Sequence, residues 1–443
     1  MITNEKEPRW TAKPLPSVNP HSWYAATADT RPEFSKLEGA KRHDVAVVGA
    51  GFTGLSVALE LAQLGFDVAI VEAKSVGWGA SGRNGGQVVT GFSKSLHEIG
   101  RLVGRDDARR LWEMAEEGKG LVKERIKKHS IACDYQPGYM YTAVKPSHEV
   151  FLRDMLESWQ SYGYSGAQWL GREETRELVE CPYYRGGIHD LENGHLHPLN
   201  YVIGLASAAA EAGVTIYEES PVSGLQEHPT PVLTTPSGSI AARYVVLAGN
   251  ALLGPISAKV STTVNAEIVP VATYMIATEP MSAEDAEAVI PGNIAVSDVM
   301  FVVNYYRRTR DHRILFGGGL DWSGLTRSNV TNRILAAMYT WLPRTKGLSA
   351  EYSWGGYVDM TMNMLPSLGR LSRDIYYVHG FSGNGITLTG IAGRVTAEAI
   401  AGTASRFDVF SRLPTPKFPG GRLSRQPIAA AGALWYKLKD LLP

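Results

Sequence analysis

Cysteine is almost missing: Cys133 and Cys181 are the only two in 443 residues. That excludes a disulfide framework and a cysteine-built metal site, and it fits a reducing compartment. No apolar run reaches the length needed to cross a bilayer. The opening Met-Ile-Thr-Asn-Glu-Lys-Glu lacks the apolar stretch of a secretory leader, so the expected location is cytoplasmic. Charge of one sign is lacking too. The 44 basic side chains cancel the 44 acidic ones, which leaves no electrostatic footprint for nucleic acid. Internal repeats and low-complexity segments are absent. What remains is an ordinary globular balance, 44% hydrophobic and 20% charged. The length exceeds one core and predicts two domains, with room for one to interleave with the other.

Glycine is plentiful and unevenly placed. The run Asp44-Val45-Ala46-Val47-Val48 reads as a strand and ends in Gly49-Ala50-Gly51-Phe52-Thr53-Gly54. Leu55, Ala58, Leu59 and Ala62 then recur at helical spacing. Gly49 permits a tight turn, Gly51 lets backbone approach a pyrophosphate, and Gly54 lets the helix pack on the strand. The helix start offers free N–H groups and a partial positive charge. A second apolar run, Val68 to Val71, delivers Glu72, which lies 23 residues after Gly49 and at the spacing of a ribose-hydroxyl acceptor. Strand, turn, helix, strand and acid in that order predict a dinucleotide site.

Next comes Gly77-Trp78-Gly79-Ala80-Ser81-Gly82-Arg83-Asn84-Gly85-Gly86-Gln87, with five glycines in eleven residues. It reads as a loop supplying N–H groups and one cation, Arg83, near phosphate or a flavin ring; the bland alternative is a surface loop. Near the end, the strand Ile375–His379 runs into Gly383-Asn384-Gly385 and a helix over 386–401, with Gly390, Gly393 and Ala397 on a close-packing face. This second strand–turn–helix unit can point at another electronegative group of the same cofactor.

Between these lie helices over 95–130, 147–162 and 172–180, a strand at 135–145, a buried strand at 244–250, and strand-rich stretches at 264–278 and 294–318. Residues 299–308 alternate cleanly, which predicts one long strand entering a hairpin through Arg310-Asp311-His312. His195 and His197 could share a strand face and suggest a metal. With no cysteine or carboxylate to complete a ligand set, the expected role is a turn into a helix started by Pro198. Residues 1–43 read as an extended arm whose Trp10, Trp23 and Tyr24 hold part of it on the body. A C-terminal amphipathic stretch, 427–442, could lie on a membrane surface; docking on the protein itself is the favoured expectation.

The fingerprint, Glu72, the Ala80–Gly86 loop and the closing Gly380-Phe-Ser-Gly-Asn-Gly385 together resemble the D-amino-acid-oxidase-type FAD-dependent oxidoreductases. Ser22–Ala26, Gly194–Asn200, Val246–Ala251 and Phe418–Gly421 are similar to the branch of that family that oxidises γ-glutamylputrescine. The resemblance implies an α/β fold: a Rossmann-like FAD-binding domain of the glutathione-reductase-like type, with a discontinuous α+β substrate domain on an antiparallel sheet. The expected boundaries are an arm at 1–42, the FAD domain at 43–92, 195–255 and 355–410, the substrate domain at 93–194 and 256–354, and a tail at 411–443.

By position, the resemblance implies that Gly49, Gly51, Phe52, Thr53 and Gly54 hold the FAD pyrophosphate, and Glu72 with Ala73 the adenosine ribose. Ser81, Arg83, Asn84, Gly85, Gly86 and Gln87 would lie near pyrophosphate and flavin, and Val222 near adenine. Ala248 and Gly249 would pass close to the cofactor, and Gly383, Asn384, Gly385, Ile386 and Thr387 would face the flavin's pyrimidine edge. Relatives that bind flavin covalently use cysteine or histidine, and the 77–87 loop has neither, so non-covalent FAD is expected. Asn384 stands where Gly-His-Gly would be expected, and unlike histidine it cannot carry a proton.

The implied reaction moves a hydride from the carbon beside an amine to the flavin, with molecular oxygen as oxidant and aldehyde, ammonia and hydrogen peroxide as products. The expected substrate is γ-glutamylputrescine or a related polyamine derivative. Tyr139, Tyr141, Tyr305, Tyr306 and Trp354 are candidate walls, each also readable as plain core, and Arg307 or Arg308 is a candidate fork for a substrate carboxylate. Two other readings stay open: an imino or secondary amino acid oxidase or dehydrogenase using a membrane quinone, and a flavin-holding protein without turnover.

Overall fold

The β-branched run ahead of the fingerprint becomes the centre of a parallel sheet. The computed structural model describes residues 22–254, 258–321, 329–419 and 425–432. In the first sheet the strands lie in the order 367–372, 375–379, 238–247, 39–48, 68–71, 215–217, with the hairpin 224–226/232–234 joined to 238–247. The five strands from 375–379 to 215–217 run parallel, and 367–372 adds an antiparallel edge. Val45, Ala46 and Val47 are completely buried: Val45 and Val47 pack with the helices 52–63 and 385–400, and Ala46 packs on the other face with Leu225 and Leu233 of the hairpin. The helix Phe52–Gln63 is buried along most of its length, and the helix Gly385–Ile400 lies on it. Gly393 makes that approach possible, because a Cβ there would stand 2.6 Å from Ser56 Cβ.

The second sheet is almost wholly antiparallel, in the order 350–361, 268–278, 314–321, 305–308, 295–298, 136–143, 186–195, 87–88. Among the described residues, its one parallel pairing joins 295–298 to 136–143. This is an α/β nucleotide-binding fold with a substrate region on an antiparallel sheet.

Several local expectations change. The strand 350–361 pairs with 268–278 through Thr361, so the crossing back to the first sheet comes after 361 rather than at 355. The first strand begins at Gly39, not 43, and Gln87–Val88 already belongs to the second sheet. The predicted strand 299–308 shrinks to Tyr305–Arg308. Asp298 breaks it: its carboxylate accepts from Met300 N at 3.1 Å, Asn304 N at 3.2 Å and Asn304 Nδ2 at 2.7 Å. A side chain that satisfies nearby backbone donors competes with the sheet ladder, and here it wins. The hairpin from 305–308 into 314–317 remains. The 95–130 stretch is two helices, Leu96–Val103 and Arg105–Lys128, parted by Gly104 at φ +86°.

The described part of the arm lies on the body. Trp23 and Tyr24 are buried, and Arg31 pairs with the buried Glu218. Trp10 falls outside the described residues. Of the C-terminal stretch, residues 425–432 form a helix, and Arg425 donates to Asn265 O and Ile268 O at 2.7 and 2.9 Å. Phe418 and Ala429 pack on Val269 and Val271, so this part docks on the second sheet. Residues 433–443 fall outside the description. Among the described residues, no helix is long and apolar enough to cross a membrane.

Candidate functional site

The C-terminal ends of strands 39–48 and 238–247 open on a cavity of about 370 Å³ whose walls come from both sheets. At one end Gly49 turns at φ +106°, with no room for a Cβ, which would lie 2.9 Å from Ala248 O. Gly51, Phe52 and Thr53 follow on the wall. Gly51 caps the helix without a side chain, which leaves N–H groups pointing outward. Ser81 Oγ takes one of them, Phe52 N, at 3.0 Å. Gly54 does not line the cavity; a Cβ there would overlap Gly49 O, so its role is to seat the helix on the turn.

Glu72 and Ala73 line the cavity beyond the turn. The Glu72 carboxylate accepts from Ala50 N and Lys74 N, each at 2.8 Å. Burial raises its pKa, against the pull of those N–H groups. Glu72→Ala should strand the Ala50 N–H and take a hydrogen-bond acceptor from the cavity wall beside the turn. Losing one charge-assisted hydrogen bond is worth about 1.5–3 kcal/mol, so FAD affinity measured by fluorescence titration should fall about tenfold or more. Unchanged affinity would remove Glu72 from the site.

Of the glycine-rich loop, Trp78, Ser81, Asn84, Gly85 and Gln87 line the cavity. Arg83 and Gly86 do not. Arg83 Nε donates to Trp78 O at 2.7 Å and Nη1 to Gly355 O at 3.2 Å, with the guanidinium 4.8 Å from the Trp78 ring centre. It staples the loop to strand 350–361 rather than offering a free cation. Gly86, at φ +77°, passes so close to Leu196 O that a side chain would collide. Val222, Ala248 and Gly249 line the opposite wall, and Gly383, Gly385 and Ile386 close the far end. Asn384 and Thr387 turn outward: Asn384 Nδ2 donates to Gly91 O at 3.4 Å and Thr387 Oγ1 to Val89 O at 2.9 Å. The place where a histidine was expected is therefore a tie between the 383–387 segment and the segment 89–91.

The four candidate catalytic residues do not line this cavity. Tyr305 leans its ring on Gly85 and Gly317, with its hydroxyl 3.3 Å from Thr273 Oγ1 and its phenol pushed by burial up to about 12. Trp354 Nε1 donates to Arg83 O at 3.1 Å. Arg307 Nε donates to Gly85 O at 3.0 Å, and Nη2 to Leu196 O at 3.1 Å and Tyr24 Oη at 3.3 Å. These three back the loop from behind. Tyr306 is elsewhere: it stacks on Phe316 and shares a 2.7 Å hydrogen bond with Tyr184 inside the second sheet's own core. Neighbouring strand residues face opposite ways, which excludes it from the loop. Arg308 pairs with Glu287 on the outside. Tyr139 and Tyr141 pack on each other and on Val89.

His197 caps the helix Pro198–Glu211, as its place before Pro198 suggested. Its Nδ1 accepts from Asn200 N at 3.1 Å, so Nε2 carries the proton toward Thr27 Oγ1 at 3.1 Å. Burial, and then Arg307, lower its pKa to about 3. Wall residues outside the sequence-based set include Asn250, Tyr357, Asp359 and Phe381. Asn250 ends a stretch legible in the sequence as a buried strand, whereas the residues around 357–359 carried no chemical signature.

The cavity suits FAD on its own chemistry. Its glycine cradle admits a pyrophosphate, and two buried wall atoms, Trp78 Nε1 and Asn250 Oδ1, have no protein partner. The pattern of the FAD dependent oxidoreductase (DAO) family matches residues 44–399. The chain belongs to this family. FAD is its cofactor, and it is an FAD-dependent oxidoreductase. The chain is 41% identical to γ-glutamylputrescine oxidoreductase of Escherichia coli, over 95% of its own length and 98% of that protein's. It is 38% identical to the probable oxidoreductase OrdL of Haemophilus influenzae, over 95% and 97%. The fold matches glycine oxidase from Bacillus cereus with a TM-score of 0.69 at 22% identity, covering 84% of this chain and 99% of that one.

Proposed function

We propose that this oxidoreductase oxidises the carbon beside an amine nitrogen, with γ-glutamylputrescine or a closely related polyamine derivative as substrate. The observation that carries this reading is the 41% identity to γ-glutamylputrescine oxidoreductase across nearly the full length of both chains. FAD held between the Gly49–Thr53 turn and the Gly383–Ile386 end of the cavity would supply the two-electron oxidation, and with water and molecular oxygen consumed the expected products are aldehyde, ammonia and hydrogen peroxide. The chain's part is to hold the amine and favour its neutral form. A free alkylamine has a pKa near ~10.4, and desolvation disfavours its charged form. Phe52, Tyr357, Val358, Phe381 and Ile386 give the cavity apolar lining for that purpose, while the part-buried Tyr305 and the buried Trp354 back Gly85 and Arg83 from behind.

Among the described residues, neither cysteine nor any histidine lines the cavity, which supports non-covalent FAD. Acid denaturation should release the whole flavin into the supernatant. Yellow colour retained in the pellet would mean a covalent bond.

Anaerobic mixing with γ-glutamylputrescine, putrescine, spermidine, sarcosine and pipecolate tests the substrate. Bleaching of the flavin band by γ-glutamylputrescine, far faster than by the others, is expected. Bleaching by pipecolate or sarcosine instead moves the activity to imino acids. No bleaching by any amine leaves a flavin-holding protein without this activity.

A further inference from the structure

Asp359 lies where the second sheet meets the nucleotide fold. It lines the cavity with Phe381 and Gly383, and it is only 2% exposed. Its carboxylate accepts the Gly380 N–H and a hydrogen bond from the Asn250 side chain, and its carbonyl accepts Ser382 N at 3.2 Å. All three partners hold left-handed backbone, at φ +80°, +51° and +50° for Gly380, Asn250 and Ser382. One aspartate thus gathers left-handed positions from two loops that form the wall. It is also an acid in a cavity that, among the described residues, no lysine, arginine or histidine lines. Glu72 is the other acid on the wall, beside the fingerprint turn. Behind Asp359 stands His379, whose Nε2 is 3.3 Å from the buried Glu267.

We propose that Asp359 is a positioning residue that also acts electrostatically. It pins the 380–383 and 249–250 loops around the flavin and, when ionised, opposes its reduction. A reduced flavin gains electron density, and a fixed carboxylate on a dry wall repels it; a protonated one does not. This inference rests on the FAD site alone and not on which amine is oxidised.

Burial holds the Asp359 carboxyl up at about 6, against the pull of His379, the Gly380 N–H and Asn250. The unfolded value is near ~3.9, so the folded pKa is the higher one. The stability this residue adds is therefore full below the unfolded value and lost as pH rises through about 6. The charge that opposes reduction appears over the same rise.

The test is the midpoint potential of bound FAD, reduced with dithionite against indicator dyes from about pH 5 to about pH 8. Asp359→Asn keeps an oxygen for Gly380 N–H and should retain FAD. Its potential at the alkaline end should lie about 30 mV or more above wild type, a tenfold shift in a two-electron equilibrium, and should merge with wild type at the acid end. Asp359→Ala loses the pin as well and should shed FAD on gel filtration. Coincident wild-type and Asp359→Asn curves would overturn the proposal. Should that variant fail to fold, the wild-type curve decides alone: a fall with pH parallel to that of free FAD across the whole range overturns it. Dithionite reports whether or not any amine bleaches the flavin, so a wrong substrate leaves this result readable.

Discussion

Gly54→Ala should leave gel filtration with little or no FAD and unfold at a lower temperature than wild type. A Cβ at this position would overlap Gly49 O and stand 3.1 Å from Gly49 C and 3.2 Å from Val47 Cγ1. None of these atoms can yield: Gly49 is the turn itself at φ +106°, and Val47 is fully buried in the central strand. The helix must lift off the strand. Its face toward Gly393 is equally tight, since a Cβ at Gly393 would already stand 2.8 Å from Val57 N. Overpacking of this kind costs about 1–3 kcal/mol in an adaptable core, and more where backbone opposes backbone. The functional loss should exceed the stability loss, because the same shift moves the helix-start N–H groups that open on the cavity. Gly65→Ala is the control, since its φ of +85° is strained but no atom lies within 4 Å of the added Cβ. It should melt lower yet keep its flavin. A Gly54→Ala protein with full FAD content would show that the turn has slack the geometry denies.

Arg307→Ala should lower stability sharply, whatever it does to substrate binding. The residue is 4% exposed, and its guanidinium joins Gly85 O, Leu196 O and Tyr24 Oη, three chain segments far apart in sequence. Each buried acceptor stranded by the change costs about 1–3 kcal/mol, so a loss of about 3 kcal/mol or more in urea unfolding is expected. A carboxylate fork would behave otherwise, with normal stability and a raised KM for a γ-glutamyl substrate alone. Arg307→Lys separates the cases further. One ammonium cannot span the three acceptors, so partial loss of stability is expected, accompanied by a fall in kcat as Gly85 loosens. Wild-type stability with a selectively raised KM would restore the substrate role for Arg307.

The N-terminal arm follows the same logic. Trp23 and Tyr24 pack against His197 and Trp354, and Tyr24 meets the guanidinium that holds the loop. A segment that read as an extended arm, held in part on the body by its aromatics, is thus packed behind the glycine-rich loop. Aromatic residues in a polar stretch signalled contact with the body; they could not say with which part.

The nucleotide-binding half was legible in the residues alone, because its chemistry is local. Strand, Gly49–Gly51–Gly54 turn, helix and Glu72 fall within a few tens of residues, and backbone sterics leave such a string few arrangements. The buried β-branched strands, the close-packing face at Gly393 and the helix start after His197 follow from equally local patterns; that Gly393 meets Ser56 does not. What the long-range side chains do was settled by folding. Alternation places Arg307 and Tyr306 on opposite faces but does not say what each face meets. The fold puts one behind Gly85 and the other in a separate core. Arg83, a cation beside a glycine-rich turn, could serve a phosphate or a carbonyl equally well until Gly355 arrived from 272 residues away. Asp298 broke a clean alternation because a carboxylate's choice between nearby N–H groups and solvent depends on burial. Asp359 had no local mark at all. Its place on the cavity wall exists only once strand 350–361 has paired and the Gly380 turn has closed over it.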